Sequence, residues 1–413
     1  RPGSSAATPG GSMLAREAPV VVAPRSTEEV AALLQRASGE GWRVSLGGAR
    51  DPGVAPGEVD LVVHSSAMTG IVEYEPADLT LTAMAGIRGR DLLSRTSASG
   101  QWLPLDPPGW GDATLGGLLA TGESGSVAQI YGRPRDLTLG LTLVAGDGRV
   151  LDVGGRVVKN VAGFDLVRLA VGSRGALGLI TRASVRLFPR PERDVGLLVS
   201  APSIDELLPA ARSVITSPLP LAGAELRSSW GEADPEPGLL VRIMGDGDPV
   251  EAMLAELRVG ALSSARVLEG PALAPALSAL SGDGIGVTVG SLWVSATGLP
   301  GRLEETLEIL SDLGSRVSPS GEGVIQASCF SGTTRGWFRA EIPHEDAADA
   351  LGEARRALES LGGALAIRRA PPVLLERIPA LGDAGAAGAL MKGIREVFDP
   401  AGILRSSPFF PGM

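Results

Sequence analysis

Thr114-Leu115-Gly116-Gly117-Leu118-Leu119-Ala120-Thr121-Gly122-Glu123-Ser124-Gly125 reads as a short helix with two glycines at its head and a glycine-rich exit. Glycine tolerates positive φ and close backbone approach, so successive amides in such a turn can face one anion. Two further turns of this kind flank it in the sequence. Leu46-Gly47-Gly48-Ala49-Arg50 follows the strand-like run Trp42 to Leu46, and Gly172-Ser173-Arg174-Gly175-Ala176-Leu177-Gly178 runs into Leu179 to Leu187. Any one of them alone also reads as a plain tight turn. None fits G-x-G-x-x-G between a strand and a helix, and neither lysine follows a suitable glycine loop, so Rossmann and P-loop sites lack support.

Upstream, Val20 to Ala23 is a short apolar strand, and Ser26 with Glu29 predicts a capping box at a helix start. Val30, Leu33, Leu34 and Ala37 recur at helical spacing until Gly39 and Gly41 stop the helix. Leu61 to Val63, Gly70 to Glu73 and Thr80 to Met84 read as strands, and Arg90 to Thr96 as a helix. Gln101 to Gly111 is a shaped loop rich in Pro and Gly. Gly146-Asp147-Gly148 joins strands Leu137 to Val144 and Val150 to Val153 as a hairpin. Beyond Pro191 the grammar changes. Strand, helix, strand, strand recurs as far as Ile367, which predicts an antiparallel sheet carrying helices on one face. A last helix, Gly388 to Phe398, precedes Asp399-Pro400-Ala401-Gly402.

The 413 residues predict two domains of roughly 200 residues each. A formal net charge of -10 without any Lys/Arg run argues against a nucleic-acid or anionic-membrane binder. No apolar run reaches the ~20 residues of a membrane span, so no transmembrane segment is expected. Residues 1–17 read as a flexible leader, since Arg1 to Ser12 has no apolar core. Cys329 is the only cysteine, which excludes an internal disulfide and an iron–sulfur cluster held by this chain. His64 and His344 lie far apart in sequence, so no metal site is expected. A reduced, cytoplasmic compartment is the natural reading. Lys occurs only at Lys159 and Lys392 and Asn only at Asn160, which singles out the Lys159-Asn160 pair.

Several motifs carry a family likeness together. They are Leu103-Pro104-Leu105-Asp106-Pro107-Pro108, Thr114-Leu115-Gly116-Gly117, Tyr131-Gly132-Arg133-Pro134-Arg135-Asp136 and Leu139-Gly140. Val158-Lys159-Asn160-Val161-Ala162-Gly163-Phe164-Asp165-Leu166 follows, leading to Gly172-Ser173 and Leu177-Gly178-Leu179-Ile180-Thr181. From Val20 to Pro191 the chain resembles the FAD-binding domain of the vanillyl-alcohol oxidase, or PCMH, type. Within that family it resembles the subunits E of bacterial glycolate oxidases, whose ending Phe398-Asp399-Pro400-Ala401-Gly402-Ile403-Leu404 resembles. Between residues 195 and 385 the similarity is weak.

The resemblance implies an α+β fold: a two-subdomain PCMH-type FAD-binding fold over residues 18–191, then a ferredoxin-like α+β cap over 192–385. Residues 386–413 would return to the FAD domain. Gly47 and Gly48, with Ala49 and Arg50, would wrap one side of the FAD diphosphate. Thr114, Leu115, Gly116 and Gly117 would wrap the other, at a helix amino end whose dipole favours negative charge. Pro107 and Pro108 would shape the wall beside the ring system. Thr121, Gly122, Gly125, Arg135 and Asp136 would line the channel, and Gly178 and Ile180 would offer backbone contacts. Lys159, Asn160 and Gly163 would lie near the isoalloxazine, where a cation or amide stabilises added negative charge; Lys159 reads equally as an ordinary salt bridge.

The sequence also departs from the family. Ala49-Arg50 replaces a third glycine and a hydroxyl residue, and Glu123 puts an acid beside the diphosphate unless it points away. No His or Cys stands in these loops for covalent attachment, so non-covalent FAD is expected. No catalytic base is evident, and His344 reads as a capping or surface residue. The implied function is a 2-hydroxy acid:acceptor oxidoreductase of the glycolate oxidase type. Its implied partners are a second flavin subunit and an iron–sulfur subunit, through which it would lie at the inner face of the plasma membrane. A stand-alone glycolate or D-lactate dehydrogenase, and a scaffold subunit with a decayed flavin site, are the alternatives.

Overall fold

The computed structural model describes residues 19–48, 59–155, 164–230, 235–260, 262–281, 291–382, 385 and 387–405; the expected leader lies outside them. Val20–Val22 (β1) leads to Thr27–Glu40 (α1), then Val44–Gly47 (β2) and Leu61–His64 (β3). The three strands form a parallel sheet in the order β1-β3-β2, with α1 as the crossover that parallel pairing requires. Ser26 caps α1 by accepting the Glu29 amide at 3.2 Å. The reciprocal half of the expected capping box slips by one residue, because Glu29 takes the Arg25 amide at 2.7 Å. Val30, Leu34 and Ala37 bury the apolar stripe of α1 with Val44, Leu61 and Val63.

Next come Ile71–Glu75 (β4), Thr80–Met84 (β5), Gly89–Ser97 (α2), Gln101–Trp102 (β6) and Leu115–Thr121 (α3). Ala128–Tyr131 (α4), Pro134–Leu137 (α5), Thr138–Val144 (β7) and Val150–Gly154 (β8) follow. Leu166–Ala170 (α6), Leu179–Arg186 (β9) and Phe188–Pro189 (β10) close this half. An antiparallel five-stranded sheet runs β4-β5-β9-β7-β8. The glycine hairpin joins β7 to β8, with Gly148 at φ 86. Part of the Pro/Gly-rich loop is ordered by pairing, since β6 and β10 form a two-residue ladder. α3 packs on β9 through Leu115, Leu118 and Leu119.

The second half begins with Arg193–Ser200 (β11), Ile204–Ile215 (α7), Gly223–Arg227 (β12), Gly238–Gly245 (β13), Gly247–Leu257 (α8), Arg266–Glu269 (β14) and Ala274–Leu280 (α9). It continues with Ser291–Thr297 (β15), Leu303–Val317 (α10), Gly323–Ser328 (β16), Thr333–Arg339 (β17), His344–Ser360 (α11), Ala364–Arg369 (β18) and Pro372–Leu375 (α12). One eight-stranded antiparallel sheet holds them in the order β14-β11-β13-β12-β16-β17-β15-β18. That order is two ferredoxin-like βαββαβ units placed edge to edge. β12 and β16 join them, pairing Glu225 with Ser328, Leu226 with Ala327 and Arg227 with Gln326. Helices α7, α8, α10 and α11 bury one face of the sheet, with Leu197, Leu226, Val241, Val294, Ala327 and Ile367 in that core. On the other face α9 covers Leu198 and Leu240 of the first unit, and the rest turns toward the first half.

Ala387–Phe398 (α13) returns to the first half. Phe398 enters its core, and the tail lies along β2, with the Val44 amide donating to Ile403 and the Arg405 amide donating to Val44. Asp399 fixes this turn, its two carboxylate oxygens accepting the amides of Ile403 at 2.9 Å and Leu404 at 2.8 Å.

Candidate functional site

The three glycine turns meet. A Cβ placed on Gly48 would sit 2.4 Å from Thr114 Oγ1 and 3.5 Å from Gly117 Cα, so the first turn abuts the head of α3 backbone to backbone. A Cβ on Gly122 would lie 3.2 Å from Gly172 Cα, and one on Gly175 3.4 Å from Leu46 Cβ, which closes the third turn on the other two. The amides of Gly172 and Arg174 donate to Leu119 and Ala120 at 2.9 and 2.8 Å. Gly178, at φ 143, packs against Val144 with no room for a side chain, and buried Ile180 on β9 lies beside Gly116. Backbone, with side chains nearly absent, therefore makes the walls where the three segments converge. That construction fits a diphosphate dinucleotide.

Some expectations need correction. The amides of Leu115, Gly116 and Gly117 have protein acceptors, namely Ile87 O at 2.9 Å, Ala85 O at 2.7 Å and Thr114 Oγ1 at 3.1 Å. The head of the seven-residue α3 thus supplies shape and close approach, while its expected open donors are already engaged. Arg135 and Asp136 are exposed. Asp136 accepts the Arg133 amide at 3.0 Å and caps α5, a local task that Pro134 at the helix start explains. Thr121 Oγ1 bonds back to Leu118 O at 3.0 Å, at the end of α3. Gly125 lies against Asp106, and Pro107 is buried with Pro108 half-buried beside it. Ala49, Arg50, Lys159, Asn160 and Gly163 lie outside the described residues.

Glu123 is compensated twice. Its carboxylate lies 3.3 Å from Arg174 Nη2 in the third turn and 3.4 Å from Arg368 Nη1 on β18, all three side chains being less than a fifth exposed. Arg174 holds a left-handed φ of 54, a conformation that costs a non-glycine residue of order 1 kcal/mol and that the surrounding turn enforces.

The sequence reading missed what faces these turns. Arg335 Nη2 donates to Ser124 O at 2.6 Å, and Arg242 spans the domains, bonded to Asp194 at 2.8 and 2.6 Å and to Asp106 at 3.2 Å. Glu225 is buried beside them, accepting from Gln326 Nε2 at 3.0 Å. Burial pushes its carboxyl above the usual range, against the pull of Arg335 and Gln326. Glu225 Oε1, Ser295 Oγ, Arg335 Nε, Arg368 Nε and Trp293 Nε1 are buried without partners among the described residues. All five belong to the sheet face turned toward the first half. The signal was present in the strands: Arg242 in Leu-Leu-Val-Arg-Ile-Met and Glu225 in Gly-Ala-Glu-Leu-Arg put charge at alternate positions of otherwise buried runs. His64 was also missed. Its Nδ1 donates to Gly48 O at 2.9 Å from the neighbouring strand and so fixes the first turn.

Comparison with known proteins agrees with this geometry. Residues 18–154 match the family described as FAD binding domain. The chain is 39% identical over 155 residues to the glycolate oxidase subunit GlcE of Escherichia coli K12, covering 37% of this chain and 44% of that protein. It is 33% identical over 204 residues to the glycolate oxidase subunit GlcD of Bacillus subtilis 168, covering 48% and 43%. It is 34% identical over 206 residues to the D-lactate dehydrogenase of Archaeoglobus fulgidus, covering 49% and 46%. In each case the matched region is less than half the relative's length. Among solved structures, alkyldihydroxyacetonephosphate synthase superimposes with a TM-score of 0.67 at 17% identity, over 93% of this chain and 76% of that one, so the fold is shared across both halves. Residues 18–154 are therefore an FAD binding domain, and the chain that carries them has the PCMH-type FAD-binding fold.

Proposed function

We propose that this chain is the non-covalent FAD subunit of a glycolate-oxidase-like complex acting on small 2-hydroxy acids. The observation that carries the reading is the 39% identity to GlcE, joined to the closure of three glycine turns into one cradle. Bound FAD supplies the two-electron acceptor for oxidation of the acid. The chain's own residues do the holding. Gly48, Gly117, Gly122, Gly175 and Gly178 let the turns close on one another by withholding side chains, and with Gly47 they would border the diphosphate. His64 and the Glu123 pairs keep the turns in place, and the buried arginines opposite favour an anionic substrate. Electrons need a partner to leave by. Cys329 is fully buried, with its thiol pushed well above the usual range by burial, and no cluster of metal ligands occurs among the described residues. A second flavin subunit and an iron–sulfur subunit would complete the route. No described helix is long and apolar enough to cross a membrane.

Steady-state reduction of a dye by glycolate or D-lactate tests this, with the chain alone and co-expressed with candidate partner subunits. The chain alone is expected to carry FAD yet turn over negligibly, and the complex to turn over. Substantial turnover by the isolated chain would replace this reading with a stand-alone 2-hydroxyacid dehydrogenase. The match to a D-lactate dehydrogenase and the orphaned polar groups around Arg335 favour that second reading.

A further inference from the structure

Arg368 stands where the sheet of the second half is irregular. The pairing of β18 with β15 shifts register between Trp293 and Val294: Val294 faces Ile367, Trp293 faces Arg369, and Arg368 is the extra residue of a β-bulge. Bulges re-aim a side chain, and this one sends Arg368 across the seam to Glu123 at 3.4 Å. From β17, Arg335 Nη2 donates to Ser124 O, so the cap holds two consecutive residues of the first half. These two residues leave the carboxyl end of α3 directly after Gly122, which abuts Gly172 of the third turn. The third turn returns Arg174 to the same carboxylate at 3.3 Å, from a left-handed backbone. Side chains from the exit of α3, the third turn and the cap thus meet at the junction of the second and third turns.

A carboxylate at this place opposes a diphosphate held in the cradle, because charges in a partly buried setting act over several ångströms with little screening. The head of α3 does not offset it, since the amides of Leu115, Gly116 and Gly117 are already engaged. Two guanidinium groups against one carboxylate leave the triad with one positive charge; without Arg368 the pair that remains is neutral. We propose that Arg368, a residue of the cap, is a positioning residue for FAD that acts through Glu123: by compensating this acid it lets the diphosphate bind. It rests on the flavin reading of the cradle and adds the second half to that site. Cofactor binding and cap docking are then linked, each favouring the other by the same factor.

The test is titration of the flavin-free full chain with FAD, read by the change in flavin fluorescence, for the parent, Arg368→Met, Arg368→Lys and the double variant Arg368→Met with Glu123→Gln. Arg368→Met keeps bulk and removes charge, and is expected to weaken FAD binding about tenfold. Arg368→Lys is expected to keep most of the parent affinity. Adding Glu123→Gln to Arg368→Met is expected to recover most of the loss, because the acid that needed compensation is gone. A contact that served packing alone would be damaged further by the second change. Parent affinity in Arg368→Met would overturn the proposal, as would a double variant that binds no better than Arg368→Met. Urea unfolding of the same flavin-free samples shows which variants are folded. If Arg368→Met does not fold, Glu123→Gln alone decides: it is expected to bind FAD at least as tightly as the parent, and binding about tenfold weaker would overturn the proposal. A parent chain that takes up no FAD would sink the flavin reading and this proposal with it, whereas a parent that binds FAD beside an unaffected Arg368→Met would sink this proposal alone.

Discussion

Glu123 shows how one residue changes meaning between sequence and structure. As a letter beside a diphosphate loop it argues against anion binding; in the fold it is the shared counter-ion of Arg174 and Arg368, one from each half. Removing it takes the shared carboxylate away from two partly buried cations. Glu123→Gln is expected to lower stability by about 1–3 kcal/mol, read as a fall in urea midpoint at constant m. An unchanged midpoint would show that the triad contributes nothing. Glu225 makes the opposite case. Its carboxyl is held above its ordinary value of 4.5, chiefly by burial, so the folded state binds the proton more tightly than the unfolded chain. The stability of the protonated form is fully present below the ordinary value and is lost as pH rises toward the folded one. Glu225→Gln keeps an acceptor for Gln326 and removes this loss. It should therefore raise the urea midpoint at neutral pH and match the parent below about pH 4.5. A variant less stable than the parent at neutral pH would mean that the ionised carboxylate is the form the fold wants. The glycines were legible in the sequence because their need for close approach is local. Glu225, Arg242 and Arg335 were not, because what a strand's second face meets is decided by the other domain.

At the scale of elements, long periodic segments could be read directly and short ones could not. The α1 stripe, the Gly146-Asp147-Gly148 hairpin and the recurring strand-helix-strand-strand pattern of the second half all follow from spacing. The two-residue ladder of β6 and β10 has no period to detect, and the strand β14 and helix α9 form because Leu268 and Leu273 pack on residues far away in sequence. The motif Phe398-Asp399-Pro400-Ala401-Gly402 turns out to be a fastener. Asp399 has no exposed side-chain surface, and it holds the turn that lays Leu404 beside Val44, at the strand that delivers Gly47 and Gly48. Asp399→Ala removes two charge-assisted bonds to buried amides and is expected to cost about 2–4 kcal/mol. Hydrogen exchange at Val44 and Ile403 should accelerate in that variant well before global unfolding. Unaltered protection there would mean that the tail is held by its apolar contacts alone.

Over the whole molecule, the doubled ferredoxin-like cap has one dry face and one polar face. The dry face is built by its own helices. The polar face is completed by the first half, through Arg335 on Ser124, Arg368 on Glu123 and Arg242 on Asp106. Such a seam is costly to bury without function, since charges removed from water gain little net stability even when paired. The division into two halves was legible from the change of grammar at Pro191. The seam was not, because it is a property of docking.

Whether the glycine cradle holds FAD is read by titrating the flavin-free chain with FAD, followed by denaturation and chromatography of the released flavin. Saturation at a single equivalent and release of intact FAD are expected, with a loss of about tenfold or more in affinity for Gly48→Val, whose side chain would enter the space of Thr114. A folded chain that takes up no FAD, or a Gly48→Val variant that binds it as well as the parent, would contradict it.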